Sequence, residues 1–306
     1  MKFSPADIPD QTGKVALITG GNSGIGYWTS LHLARRGAHV VMACRSARRA
    51  EGALAQLKSA VPQGRFELLS LDLSSLASVR AAATAFRAKH DRLDLLCNNA
   101  GIALTPMART VDGFESQFAA NYLGHFALAG LLLDCVGKDG RVLHVGSLQH
   151  RKGRIDFDDP NFERRAYDKW EAYGQSKLAN VIFMLEMERR LRRSGSSVIS
   201  VGAHPGMSGT NVSATEAQKD SARFQKFVRF MNWLVLNAPD RAAEPSLYAA
   251  TMPGVSGGSY FGPGGWREIK GSPAPAFIAP AARNEADAAR LWTLSEKLTG
   301  VKYLDA

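Results

Sequence analysis

The chain has 306 residues, 45% of them hydrophobic and 22% charged, with a formal net charge of +10. A chain of this size buries a core without disulfides or structural metal, and its three cysteines, Cys44, Cys97 and Cys135, are odd in number and form no C-x-x-C pair, which argues against a disulfide framework and fits a reducing cytoplasm. The arginine doublets are scattered and accompany no reader motif, so nucleic acid is not expected as a partner. The excess charge reads as solvated helix faces or as attraction to anionic ligands or an anionic membrane surface.

The segment from Met1 to Lys14 is polar and lacks the apolar stretch of a secretory signal. No run approaches the roughly 18 apolar residues of a spanning helix, so no transmembrane segment is expected. Val15 to Thr19 reads as a buried strand, followed by a Gly-rich turn and a helix to Arg36. Further apolar runs, Ala38 to Ala43, Phe66 to Leu71, Leu93 to Cys97, Arg141 to Val145 and Ser197 to Val201, alternate with helical patterns. These patterns cover Arg48 to Ser59, Ser75 to Lys89, Gly113 to Val136 and Glu171 to Arg193, with a last helix at Asn284 to Leu298. Continuous apolar strands separated by helices predict an α/β fold, a doubly wound parallel sheet with helices on both faces and a ligand site at the strands' carboxyl ends. No repeat or linker interrupts residues 1–306, which read as a single domain. The aromatic and basic segment near 213–240 departs from the alternation and reads as an insertion packed over the site.

Thr19-Gly20-Gly21-Asn22-Ser23-Gly24-Ile25-Gly26 joins the first strand to the first helix. Glycines there let the backbone turn sharply and approach a pyrophosphate, and the helix presents its free amides and positive dipole end. At the end of the second strand, where NAD binders place an acid for the ribose hydroxyls, this chain has Cys44-Arg45. A neutral residue followed by a guanidinium suits a 2′-phosphate, which predicts NADP(H); a plain surface arginine is the alternative. Asp72 after the third strand suits the adenine amino group or a helix N-cap.

Tyr173 and Lys177 lie four apart on a predicted helix, hence on one face. A free phenol, with a pKa of about 10, is a poor base at neutral pH. A nearby ammonium, together with the positive nicotinamide of the oxidised cofactor, is expected to favour phenolate and lower that pKa, so that Tyr173 exchanges a proton with a carbonyl or alcohol oxygen. His125, His144, His150 and His204 lack ligand spacing, and no metal is expected.

These pieces together resemble the short-chain dehydrogenase/reductase family over nearly the whole chain. In order they are Thr19 to Gly26, Asp72-Leu73, Asn98-Asn99-Ala100-Gly101, Asn121, Ser147, Tyr173-x-x-x-Lys177 and Pro205-Gly206. The resemblance implies a Rossmann-type sheet of about seven strands and a catalytic set of Asn121, Ser147, Tyr173 and Lys177. In that set Ser147 would bond the substrate oxygen and Tyr173 would exchange the proton. Lys177 would grip the nicotinamide ribose. Asn121 would shape its helix and hold a water of the proton relay. The cofactor would be held by Gly20, Asn22, Ser23, Gly24, Ile25, Gly26, Arg45, Asp72, Leu73, Asn99, Ala100, Gly101, Pro205, Gly206 and Thr210, with Tyr173 and Lys177.

Within the family the likeness is to retinol dehydrogenases and their bacterial relatives. It is carried by Ala43 to Ser46, Asn121 to Phe126, Ile155 to Asp159 and Tyr173 to Asn180, and by the run from Leu247 through Gly262. An insert around Asp156 to Trp170 separates Ser147 from Tyr173 more widely than in simpler members. The resemblance departs in two places: no N-terminal anchor of the kind common in animal retinol dehydrogenases is expected here, and Gly146 stands where the relatives usually have a serine. The expected activity is NADP(H)-dependent interconversion of an alcohol with an aldehyde or ketone, on a hydrophobic substrate because of the apolar 213–240 segment. That segment also fits a core or oligomer-facing helix, or a peripheral membrane contact. A homo-oligomer is expected through the long helices. The alternative is a non-catalytic dinucleotide-sensing protein on the same fold, which would be free to lose the catalytic set.

Overall fold

The computed structural model describes residues 3–206 and 238–304. Its strands are β1 (Val15–Thr19), β2 (His39–Cys44), β3 (Arg65–Ser70), β4 (Leu93–Asn98), β5 (Val136–Val145), β6 (Ile199–Ala203), β7 (Tyr260–Pro263) and β8 (Pro273–Pro275). They form one sheet in the order β3-β2-β1-β4-β5-β6-β7-β8, parallel through β7 with β8 antiparallel at the edge. The chain winds outward from β1 to β3, then crosses back to lay β4 on the other side of β1. That reversal opens a crevice beyond the carboxyl ends of β1 and β4.

Alternation along the strands divides the core. Leu17 and Val41 point to one face with Phe86, Phe118, Phe126, Phe183 and Trp292. Ile18, Val40 and Met42 point to the other, with Leu31, Leu57 and Leu247. The helix Ser116–Cys135 is long and apolar enough to span a bilayer, but most of it is buried in the first of these cores, as expected of a central helix in a packed α/β protein.

The expected α/β architecture is observed, with eight strands rather than about seven. The additional β8 is bounded by prolines, which lack the amide donor a central strand requires and so suit an edge. The sixth strand begins at Ile199, two residues after the expected Ser197. Gly195 (φ +70°) and Ser196 are occupied in closing the preceding helix, the Ser196 amide bonding the Leu191 carbonyl at 3.0 Å.

Candidate active site

The Gly-rich turn sits at the crevice between β1 and β4. Gly20 is left-handed (φ +68°) and passes the Ala100 backbone so closely that a Cβ would lie 3.1–3.3 Å from Ala100 and Asn99. Helix Gly24–Arg35 starts from an extended Ser23 whose side chain makes no cap, so its first amides face the crevice. Thr19 locks the two strand ends together. Its Oγ1 accepts from the Asn99 and Ala100 amides at 2.9 Å, and the Asn99 Nδ2 donates to its carbonyl at 2.8 Å.

At the end of β2 the Gly21 and Asn22 amides face the Cys44 sulfur, and burial pushes that thiol up to about 11. Cys44 is therefore neutral at physiological pH, while Arg45 beside it is exposed and bonds none of the described residues. Asp72 is not the helix N-cap. Ser75 caps helix Leu76–Arg87, and Asp72 Oδ1 accepts from the Ser74 amide and hydroxyl at 2.9 and 2.6 Å. The Leu73 carbonyl is pressed against Gly124, where no Cβ fits. The turn, the neutral β2 end and the Thr19-pinned Asn99–Gly101 loop thus fit a dinucleotide.

Ser147 follows β5 and caps the short helix Leu148–Arg151, its Oγ accepting from the Gln149 amide at 3.2 Å. Tyr173 and Lys177 lie on helix Lys169–Arg193, which Asp168 caps through the Trp170 and Glu171 amides. The Ser147 hydroxyl faces the Tyr173 hydroxyl closely enough to act on it electrostatically. Both residues are partly open, whereas Lys177 and Asn121 are buried. Lys177 Nζ donates to the Val145 carbonyl at 3.1 Å and lies 5.8 Å from the Tyr173 ring centre. The four residues expected to form the catalytic set are thus gathered in one place.

In the protein without its cofactor, the Tyr173 phenol lies above its ordinary pKa, because burial penalises the phenolate more than the nearby Ser147 hydroxyl favours it. Burial also draws Lys177 down to about 8. In the protein alone the lysine faces a carbonyl rather than the phenol oxygen, so it does not supply the lowering expected of it.

Asn121 lies in a π-helical turn, Ala119–Leu123, within the central helix. Its Nδ2 donates to the Ile102 carbonyl and the Ser176 hydroxyl, both at 2.9 Å, and its Oδ1 accepts from the Ile102 amide at 2.8 Å. The wide turn exposes its main-chain carbonyl, which accepts from His125 Nδ1 at 2.9 Å. Since that carbonyl can only accept, His125 carries its proton on Nδ1, and its Nε2 accepts from the Thr19 hydroxyl at 2.9 Å. Burial keeps this imidazole neutral, at about 4. His125 therefore joins the Asn121 turn to the dinucleotide crevice, a role that histidine spacing in the sequence did not signal.

The other histidines also serve hydrogen bonding or packing. His150 Nδ1 donates to the Ser147 carbonyl at 2.6 Å, and its Nε2 accepts from the Ala279 amide. His204 Nε2 donates to Glu268 at 2.8 Å, and its Nδ1 accepts from the Gly206 amide at 3.1 Å. His144 packs on Phe183. Gly206 (φ +72°) lies against the Glu268 and Ile269 carbonyls, so the Pro205-Gly206 turn is braced by the C-terminal segment. Among the described residues, one trio, His39, Glu67 and His90, has metal-ligating atoms close together, but it lies at the opposite ends of the strands. Lys89 at 3.9 Å and Arg65 already supply cations there, and the cluster is read as ion pairing. Thr210 and nearly all of the 213–240 segment lie outside the described residues.

A family model described as short chain dehydrogenase matches residues 14–221. Human retinol dehydrogenase 13 is 39% identical over 303 residues, covering 98% of this chain and 87% of that protein. Mouse polyprenol dehydrogenase is 38% identical, with 97% and 87% covered. The crystal structure of an uncharacterized protein from Mycobacterium paratuberculosis superposes with a TM-score of 0.82 at 39% identity, covering 99% of each chain.

Proposed function

Because the chain belongs to the short-chain dehydrogenase family, we propose that it is an NADP(H)-dependent oxidoreductase that interconverts a hydrophobic alcohol with its aldehyde or ketone. The observation that carries this reading is the meeting of Ser147, Tyr173, Lys177 and Asn121 beside the Gly-rich crevice. When bound, the nicotinamide supplies or accepts the hydride. The protein's own residues manage the proton.

Ser147 and Tyr173 present two hydroxyls to one substrate oxygen. In reduction Tyr173 gives its proton to that oxygen while Ser147 donates a hydrogen bond to it; in oxidation the proton returns. The raised phenol is fully protonated at neutral pH, so it is poised as the acid for carbonyl reduction. Lys177 holds its ammonium on the Val145 carbonyl, 5.8 Å from the Tyr173 ring centre. Lys177 would hold a ribose hydroxyl of the bound dinucleotide. Asn121 holds the Ile102 backbone and Ser176, and so fixes the loop and helix between which the lysine sits.

The neutral Cys44 and the uncommitted Arg45 support NADP(H) over NAD(H), since a 2′-phosphate meets no carboxylate and one available guanidinium. Relatives named for retinol and for a polyprenol support an apolar alcohol as substrate. The free thiols of Cys44, Cys97 and Cys135 suit a reducing cytoplasm.

The test is a panel of retinoid, polyprenoid and simpler aldehydes with NADPH, comparing wild type with Tyr173→Phe. Loss of the proton donor should lower kcat by at least about 100-fold. Equal turnover in the two proteins would remove Tyr173 from the chemistry, and no turnover on any carbonyl would favour the dinucleotide-sensing alternative.

A further inference from the structure

Ser147 is held from more than its own side chain. Its carbonyl accepts from His150 Nδ1, and its amide faces the hydroxyl of Tyr260 on β7, a residue that sequence reading did not place in the site. Tyr260 is 4% exposed, and its hydroxyl makes no hydrogen bond of normal geometry with the described residues. A buried phenol hydroxyl left in that state is costly, so its placement against the serine calls for a reason.

The space for this side chain is made by Gly202 in β6 and by Gly146, just past the end of the neighbouring β5. At Gly202 in β6 a Cβ would come within 2.7 Å of the Tyr260 ring. At Gly146 a Cβ would collide with the Tyr260 oxygen and lie 3.1 Å from its Cζ. Gly146 is the position immediately before Ser147. The tyrosine ring is steadied edge-on by His150 at 5.5 Å and by the His204 ring at 5.4 Å. His150 is the same residue that bonds the Ser147 carbonyl, and His204 is itself tied to Glu268. Arg151 pairs with that glutamate at 2.5 Å. Tyr173 also lies within electrostatic reach of Tyr260.

We propose that Tyr260 is a positioning residue for the reaction: admitted by Gly146, its hydroxyl seats the Ser147 backbone so that the serine hydroxyl meets Tyr173. The Tyr260 hydroxyl faces the Ser147 amide and His150 bonds the Ser147 carbonyl, while the serine side chain is left to the substrate. The proposal rests on the oxidoreductase reading above. It makes residues 146 and 260 a coupled pair in which an added methyl at one is tolerated only if the oxygen at the other is removed.

The test is a double-mutant cycle with Gly146→Ala, Tyr260→Phe and the double variant, each assayed for kcat, for KM toward NADPH and for thermal midpoint. A displacement of Ser147 by a fraction of an ångström should cost Gly146→Ala on the order of tenfold or more in kcat, with KM for NADPH unchanged. Tyr260→Phe should lose a few-fold in kcat, and the double variant should recover to the Tyr260→Phe level. A merely structural pair would shift the thermal midpoint and leave kcat per folded molecule unchanged, which would overturn the proposal. So would full activity of Tyr260→Phe, or a double variant no better than Gly146→Ala. A second readout needs no turnover: in ¹⁵N-labelled protein, Tyr260→Phe should move the Ser147 amide resonance. If wild type reduces nothing, the oxidoreductase reading fails while this contact is still tested. If wild type is active and the resonance stays in place, the positioning role fails alone.

Discussion

At the scale of single residues, burial is the main influence on charge in this site. Cys44 is kept neutral, Tyr173 is kept protonated, and Lys177 is drawn down to about 8. Lys177 is charged below that value and loses its charge as the pH rises through it. NADPH-driven reduction should therefore be level from pH 6 to 7 and fall about tenfold per unit well above pH 8. The pH dependence of kcat on a good carbonyl substrate checks this, and a flat profile to pH 10 would show that the lysine charge is not needed. Arg45 sets a second expectation. Arg45→Asp places a carboxylate beside Cys44, and it should weaken NADPH about tenfold or more while leaving NADH equal or better. Titrating both cofactors against wild type and variant decides it, and an unchanged ratio would remove Arg45 from cofactor selection.

At the scale of elements, the site depends on pieces that depart from regular geometry. The π turn at Ala119–Leu123 frees the Asn121 carbonyl for His125. Toward the C-terminus, Arg267 and Glu268 are consecutive non-glycine residues with positive φ, at +49° and +57°. Such backbone is costly and persists only where surroundings hold it. Here the Glu268 carboxylate takes His204, Arg151 and the Phe277 amide, and these bonds hold it down to about 2. For a carboxylate held below its unfolded value of about 4.5, the stabilisation is fully present above pH 4.5 and is lost as the pH falls toward 2. Glu268→Gln should thus lower stability at pH 7 by about 2 kcal/mol, and the difference from wild type should shrink below pH 4. Denaturant unfolding at pH 7 and pH 3.5 measures both, and a pH-independent difference would show that charge is not the cause.

At the scale of the whole molecule, the alternation of apolar runs and amphipathic helices made the central sheet legible. Val15–Thr19 and the Gly-rich turn were readable from local chemistry, whereas the Tyr173–Lys177 spacing was readable only in the company of Asn121, Ser147 and the other motifs in order. Tyr260, Glu268 and His125 were not readable. Tyr260 sits in a Gly- and Pro-rich stretch that lacks strand periodicity, and what it does depends on Gly146, 114 residues earlier. His125 matters only because a π turn points a carbonyl at it, and no local pattern announces such a turn. The β7 and β8 edge likewise forms by pairing against β6 rather than from its own propensity.

The placement of β7 orders the events of synthesis. Residues up to Ala203 contain every strand from β1 to β6, with Ser147, Tyr173 and Lys177 among them, so the nucleotide crevice can assemble while the ribosome is still at work. Tyr260, Glu268 and the Ala279 amide that holds His150 emerge about 60 to 75 residues later. A nascent chain therefore has a place for the dinucleotide before the serine that faces the substrate is braced, and the last fifth of the chain completes that bracing.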